Sequence, residues 1–226
     1  MQRIRKCKVC KIDYESEYHI LSQCPGFNSH HILRHDYACK LIWKEMVKKH
    51  NFKANKETLT KDDKNAIPPE VINDQEWSLK YNMKHFIPGD GIYHNRSDML
   101  LITKDMIRII EISFSTIMQK KVVEQYNYKH YRYFINGTKT SYDDFKTNKK
   151  KKGCLASFLS KIYKVPIKST ILIFGQTGET FDKNKKELME LDLDEDVINT
   201  LLAKVSTFAA RNCNQIVKQY MSTKKS

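Results

Sequence analysis

Two acids bracket a hairpin-like stretch, "SDMLLITKDMIRIIEISFS" (97–115), in which Asp98 precedes a short apolar run and Glu111 interrupts the next. The runs "MLLIT" and "MIRIIEISF" have strand character, and Lys104-Asp105 between them is a plausible two-residue turn, although not of the favoured Asn-Gly or Asp-Gly type. With that turn, facing residues have numbers that sum to 209, so Asp98 lies opposite Glu111. Facing side chains on antiparallel strands stand roughly 5 Å apart at Cβ and point to one face. Two bare carboxylates at that distance repel unless a proton or a cation bridges them. A hard divalent ion, Mg²⁺ or Mn²⁺, suits such oxygen ligands. The alternative is a pair of acids on a solvated face, yet Glu111 sits inside "RIIEISF", a run apolar enough for a buried strand, where a lone acid is costly.

A second constellation lies at the N-terminus, where "CKVCKIDYESEYHILSQC" spaces Cys7-x2-Cys10-x8-His19-x4-Cys24. Two thiolates on a tight knuckle, followed by an imidazole and a third thiolate, form a tetrahedral zinc set. So short a segment has no core of its own, and the metal would supply most of its folding energy. His30, His31, His35 and Cys39 remain alternatives for one ligand.

Several elements must position these groups. "HHILRHDYACKLIWKEMVKKH" has apolar residues at Ile32, Leu33, Leu41, Ile42 and Met46, a helical spacing that predicts a basic outer face, with Arg34 and His35 as candidate phosphate contacts. Residues 51–66 are polar and aperiodic and are expected to be a linker, and "PPE" at 68–70 is expected to open a short helix. After the hairpin, "IMQKKVVEQYNYKHYRYF" contains no Gly or Pro and predicts a helix whose Gln125, Tyr126, Lys129, Arg132 and Tyr133 share one face. A lysine there can reach groups held by the acids. Beyond a lysine-rich loop (136–153) come a helix over "CLASFLSKIYK", a strand over "IKSTILIF" and two helices within 184–222. "YDD" at 142–144 lacks a flanking apolar hairpin, and "GQTGET" at 175–180 lacks the Gly-Lys-Ser/Thr of a phosphate loop, so neither is read as a site.

Composition bounds the rest. In 226 residues, Lys and Arg outnumber Asp and Glu by 40 − 26 = +14, which favours a polyanionic partner such as nucleic acid. The chain has no apolar run long enough to span a bilayer, and "MQRIRKCKVC" lacks the apolar stretch of a secretion signal, so an intracellular protein without a membrane partner is expected. Six unevenly clustered cysteines argue against a disulfide framework.

Strand, turn, acid-bearing strand, helix with a basic residue and then another strand is the order of the PD-(D/E)xK nuclease core. Over most of its length the chain resembles the restriction-like endonuclease region at the C-terminus of site-specific non-LTR retrotransposon polyproteins. The knuckle comes first, "RHD" at 34–36 looks like that family's Arg-His-Asn element, and "EWSLKY…HNRSDMLLI" is similar to its Trp-led segment ending in His-Asn-Arg-Pro-Asp. Asp98 and Glu111, with twelve residues between them, match its paired acids. Lys129, Arg132 and Tyr133 look like its Lys-x-x-Lys-Tyr helix, and "ILIFGQTGE" is similar to its late strand and Gly-x-x-Gly turn. Ser97 replaces a proline and Arg132 a lysine; Ser113 agrees with the subfamily, whose catalytic lysine is displaced onto the following helix.

The resemblance implies an α/β fold, a restriction-endonuclease-like mixed sheet flanked by helices, with a small zinc knuckle. Residues 1–50 would hold the knuckle and the basic helix, and 67–226 the nuclease domain. It implies a nuclear, Mg²⁺- or Mn²⁺-dependent DNA endonuclease that nicks double-stranded DNA and leaves a 3′-hydroxyl for target-primed reverse transcription. Its reverse transcriptase would lie outside this chain, and the element's RNA is a further candidate partner. Asp98 and Glu111, with the Ile112 carbonyl, would hold the ion, and Lys129 would position water or contact phosphate. Arg34, His35, Arg96, Arg132 and Tyr133 would contact DNA, and structural zinc would sit on Cys7, Cys10, His19 and Cys24. Two other readings stay open: an inactive remnant that binds nucleic acid through the knuckle, and a zinc-organised module for protein partners.

Overall fold

The computed structural model describes residues 5–50, 52, 71–73, 78–82, 96–116, 119–134 and 154–223. Its centre is a five-stranded sheet in the order β1-β2-β3-β4-β5, built from β1 (Val71–Asn73), β2 (Ser78–Tyr81), β3 (Met99–Ile102), β4 (Ile107–Ser115) and β5 (Ile167–Gly175). The first four strands pair antiparallel, and β5 pairs parallel with β4. A parallel partner needs a long crossover. It contains α2 (Gln119–Phe134) and α3 (Leu155–Tyr163). The remaining α-helices among the described residues are α1 (Asn28–Lys49), α4 (Asp182–Met189) and α5 (Glu195–Ser222), and two short helical turns, His19–Gln23 and Pro25–Phe27, precede α1. The protein is therefore α/β with a mixed sheet flanked by helices.

The hairpin has the register that the two-residue turn requires. Met99 faces Ile110 and Ile102 faces Ile107. Thr103 explains why Lys104-Asp105 can turn without glycine: its N–H donates to the Met106 carbonyl at 2.9 Å, and its Oγ1 accepts the Met106 N–H at 3.0 Å. One residue beyond the ladder, Asp98 and Glu111 come into line.

Alternation along the strands divides the core into two layers. Leu79, Tyr81, Met99, Leu101, Ile110, Ile112, Leu172 and Phe174 pack with α1 and α5. Leu100, Ile107 and Ile109 pack on the other face with Tyr133 of α2 and with α3. Every residue from Ile107 to Ile112 is buried, as befits a central strand covered on both faces. Glu111 continues the side of Ile107 and Ile109, towards α2.

α1 departs from the sequence expectation. Ala38, Cys39, Leu41, Ile42, Trp43, Met46 and Val47 join the same apolar cluster as the sheet and α5, so the helix that was grouped with the knuckle is part of the central packing. Its basic face is not free either, since Lys40 and Lys44 are buried. The knuckle segment packs through Leu21, Cys24 and Phe27 on Cys213, Ile216 and Tyr220 of α5. The linker expected at 51–66, apart from Phe52, and the helix expected at "PPE" lie outside the described residues, and Val71–Asn73 directly after it is a strand. Among the described residues no helix is long and apolar enough to cross a membrane.

Arg34 binds these parts together. It is buried, and its Nη1 donates to the Gln176 carbonyl at 2.6 Å and to Cys213 Sγ at 3.3 Å, while Nη2 donates to the Leu21 carbonyl at 3.3 Å. Its guanidinium also lies over the Phe114 ring, 4.8 Å from the centroid. The phosphate contact expected of Arg34 is thereby corrected: the residue is buried, and both of its terminal nitrogens bond to the knuckle, the turn after β5 and α5. Truncating Arg34→Ala strands these buried acceptors and is expected to lower the unfolding free energy by about 3 kcal/mol, measured by urea denaturation; a change below about 0.5 kcal/mol, the usual size for a surface substitution, would contradict this role.

Candidate metal centre and acid cluster

The hairpin places Asp98 where β3 begins and Glu111 where β4 runs on past it. Each carboxylate is held by the other's strand. The Asp98 N–H donates to Glu111 Oε1 at 3.0 Å, and the Ile112 N–H donates to Asp98 Oδ2 at 2.7 Å. Lys129 reaches in from α2 and donates to Glu111 Oε2 at 2.7 Å, with only 11% of its side chain and 2% of that of Glu111 exposed. Gln125, one turn earlier, donates to Ser113 Oγ at 2.9 Å and so aligns α2 along β4. The three residues expected to act together, Asp98, Glu111 and Lys129, are thus brought together by a β-turn and one helix.

Their ionisation follows from this geometry. Burial, reinforced by the Asp98 charge, pushes Glu111 above the usual carboxylate range, against the pull of Lys129. Asp98 moves the other way: burial opposes its ionisation, but His35, Lys129 and the Ile112 N–H outweigh it and hold it low. Lys129 resists the burial that would lower it, because Glu111 and Asp98 hold it above its ordinary value. Two carboxylates with their affinities for protons pushed apart are suited to share a cation or a proton. Among the described residues Asp98 Oδ1 has no hydrogen-bond donor, which leaves an oxygen free for a ligand.

The remaining expected residues divide. His35 does not face outward for phosphate; its Nε2 lies 3.3 Å from Asp98 Oδ2 and its Nδ1 3.1 Å from Asp36 Oδ1, which makes it part of the acid cluster. Tyr133 is buried in the layer beneath the sheet and donates from its hydroxyl to the Arg96 carbonyl at 2.7 Å. Its ring is spent on packing, so the expected contact with DNA is corrected to a positioning bond on residue 96. Arg96 itself is exposed, and its Nε donates to the Asn82 carbonyl at 2.9 Å. Arg132 lies half-buried beside the Tyr133 ring. Sequence reasoning missed the approach of His35 and Cys39 to Asp98; their i, i+4 spacing was visible, but nothing local shows which strand end their face meets.

The knuckle assembles its four ligands. The ligand atoms of Cys7, Cys10, His19 and Cys24 all lie within 4.8 Å of one another. Cys7 Sγ is 3.8 Å from Cys24 Sγ, and Cys10 Sγ is 3.2 Å from His19 Nε2. Bonds of about 2.0–2.3 Å to a tetrahedral zinc give ligand separations of roughly 3.3–3.8 Å, so this set could hold a metal ion such as zinc. Its backbone is folded to match. The Cys7 N–H donates to the Asp13 carbonyl, the Lys11 N–H donates to the Cys7 carbonyl, and Lys11 takes the left-handed conformation at φ 60° that closes the knuckle. Asp13 Oδ2 lies 3.5 Å from His19 Nδ1, an ion-pair distance without a hydrogen bond. Burial opposes ionisation of Cys10, but backbone N–H groups of Asp13 and Ile12 and the His19 ring bring its thiol down to about 6. Burial, with the Cys7 thiol beside it, pushes Cys24 up to about 12. That thiol needs a cation to ionise at neutral pH.

Two outcomes follow. A strong chelator is expected to raise amide exchange in residues 7–24 while β4 and β5 keep their protection; unchanged exchange there would contradict metal-dependent folding of the knuckle. Lys129→Met leaves Glu111 buried without its counter-charge, at a cost of about 3 kcal/mol at neutral pH. Glu111 already ionises above the unfolded carboxylate, so the loss should shrink as pH falls and Glu111 takes up a proton. Denaturation curves at pH 7 and pH 5 test this, and a loss independent of pH would contradict it.

No protein-family model matches the chain, and no curated protein matches it. Its functional reading therefore rests on this geometry and on the resemblance of its motifs.

Proposed function

We propose that this chain is a metal-dependent endonuclease that nicks double-stranded DNA, with the restriction-like architecture of nucleases acting in target-primed retrotransposition. The observation that carries the reading is the facing of Asp98 and Glu111 across the end of the β3–β4 ladder, with Lys129 at 2.7 Å from Glu111. The donor set fits a hard divalent ion: two carboxylates, one of them raised in pKa by burial and by the other's charge. Asp98 and Glu111 would hold Mg²⁺ or Mn²⁺, and the Ile112 carbonyl is available to the reading as a third oxygen. Such an ion would lower the pKa of a bound water and offset charge on the scissile phosphate.

The chain's own residues do the rest. Glu111, fixed by the Asp98 N–H, keeps its carboxylate from swinging away. Lys129 is close enough to pass from Glu111 to a bound water or a phosphate oxygen, since a flexible ammonium can exchange one anionic partner for another. Arg96, exposed beside Asp98, supports a backbone contact to DNA, and the +14 charge supports a salt-sensitive grip on a polyanion. Action on chromosomal DNA would place the protein in the nucleus.

One observation favours a second reading. Lys129 and His35 already pair with both acids, so the cluster's charge is balanced by protein groups alone. A nucleic-acid-binding module on an inactive scaffold would look the same.

Supercoiled plasmid with Mg²⁺ separates them. The zinc-loaded protein is expected to convert it to the nicked circle, and Asp98→Ala, Glu111→Ala and Lys129→Ala to slow this by at least about 100-fold, the scale of one lost acid–base or electrostatic group. Binding without nicking would select the second reading, and equal nicking by Asp98→Ala would remove the assignment.

A further inference from the structure

α1 carries His35, which already pairs with Asp98, and Cys39, to which the nuclease reading gives no task. His35 and Cys39 are four residues apart and share a face of that helix. The face meets Asp98 where β3 begins. His35 Nε2 is 3.3 Å from Asp98 Oδ2, and Cys39 Sγ lies beside the His35 ring, 3.7 Å from Nδ1 and 3.8 Å from Nε2. The ligand atoms of the three residues lie within 4.8 Å of one another. These separations fall in the range of about 3.3–3.8 Å that zinc imposes on the edges of its coordination tetrahedron, the same range that the knuckle shows at Cys7 and Cys24.

The surroundings repeat the knuckle as well. Asp36 Oδ1 sits 3.1 Å from His35 Nδ1, as Asp13 Oδ2 sits 3.5 Å from His19 Nδ1. A carboxylate on one ring nitrogen fixes the tautomer that presents the other to a metal. The donors differ in kind from those of the acid pair. A thiolate, an imidazole and one carboxylate are borderline to soft and select zinc-like ions, whereas Mg²⁺ takes oxygen. Cys39 is buried and His35 is half-buried, so the site opens to solvent on the His35 and Asp98 side.

We propose that His35, Cys39 and Asp98 form a second zinc-class metal site that shares Asp98 with the acid pair, so that zinc bound there withdraws Asp98 from Mg²⁺ and blocks cleavage. Three protein ligands leave one position open, for water or a phosphate oxygen. The binding half of this inference stands on α1 and β3 alone; the blocking half rests on the nuclease reading.

The test titrates cobalt(II) into the full chain with zinc already in the knuckle. A second equivalent is expected to bind with the near-ultraviolet charge-transfer band of a single thiolate, and Cys39→Ser should abolish that band. His35→Gln should weaken binding at least 10-fold while the knuckle keeps its zinc. Failure to take up a second equivalent, or uptake unaltered by both variants, overturns the site. In the plasmid assay with Mg²⁺, added zinc should inhibit the unaltered protein at concentrations at least 10-fold lower than it inhibits Cys39→Ser. Equal inhibition of the two overturns the blocking role. Absence of any nicking fails the nuclease reading and with it the blocking half, while the cobalt titration still decides the site.

Discussion

Two carboxylates forced to the same end of a β-ladder are the constraint around which this molecule is arranged. Bringing Asp98 and Glu111 into line costs Coulomb repulsion and the loss of hydration, and the cost is greatest for Glu111, which sits inside the central strand. The fold offsets it from several directions. Each acid accepts an N–H from the opposite strand, Lys129 approaches from the layer beneath the sheet, and His35 approaches from the layer above. Both helical layers thus converge on the point where β3 begins and β4 runs on past it.

That convergence gives α1 a different meaning from its sequence. Its basic residues suggest a surface that lies along a polyanion, yet Arg34, Lys40 and Lys44 are buried. Arg34 in particular joins the knuckle, the turn after β5 and α5 through three elements that are remote in sequence. The knuckle is in turn seated on α5 through Phe27, Ile216 and Tyr220. The segment that could hold a metal ion is therefore coupled to the sheet through α1, and that helix also presents His35 and Cys39 to Asp98.

What could be read in advance was what local rules determine. Apolar runs around Lys104-Asp105 defined the hairpin, its register and the alignment of Asp98 with Glu111, because a two-residue turn leaves a single pairing. The Cys-x2-Cys…His-x4-Cys spacing pointed to the four side chains that cluster in the knuckle, because they lie close in the chain. Helical periodicity placed Lys129 on the face that meets Glu111. Long-range packing was not legible. Nothing near Arg34 indicates Gln176 or Cys213, which lie far along the chain, and a basic residue on an amphipathic helix reads as exposed unless its acceptors are known. Tyr133 was a DNA contact only through the resemblance of its helix to the Lys-x-x-Lys-Tyr motif, and its ring fills the lower layer. The β1 and β2 strands escaped notice because each is short, and their pairing is supplied by β3.

The central claim is that the facing acids form a divalent-cation site, and bound manganese reports on it most directly. Electron paramagnetic resonance of Mn²⁺ titrated into the zinc-loaded chain with a short DNA duplex should show one bound ion, displaced by Mg²⁺, whose affinity falls at least tenfold in Asp98→Asn and in Glu111→Gln. Manganese that remains free, or that binds equally well to both variants, would contradict the account.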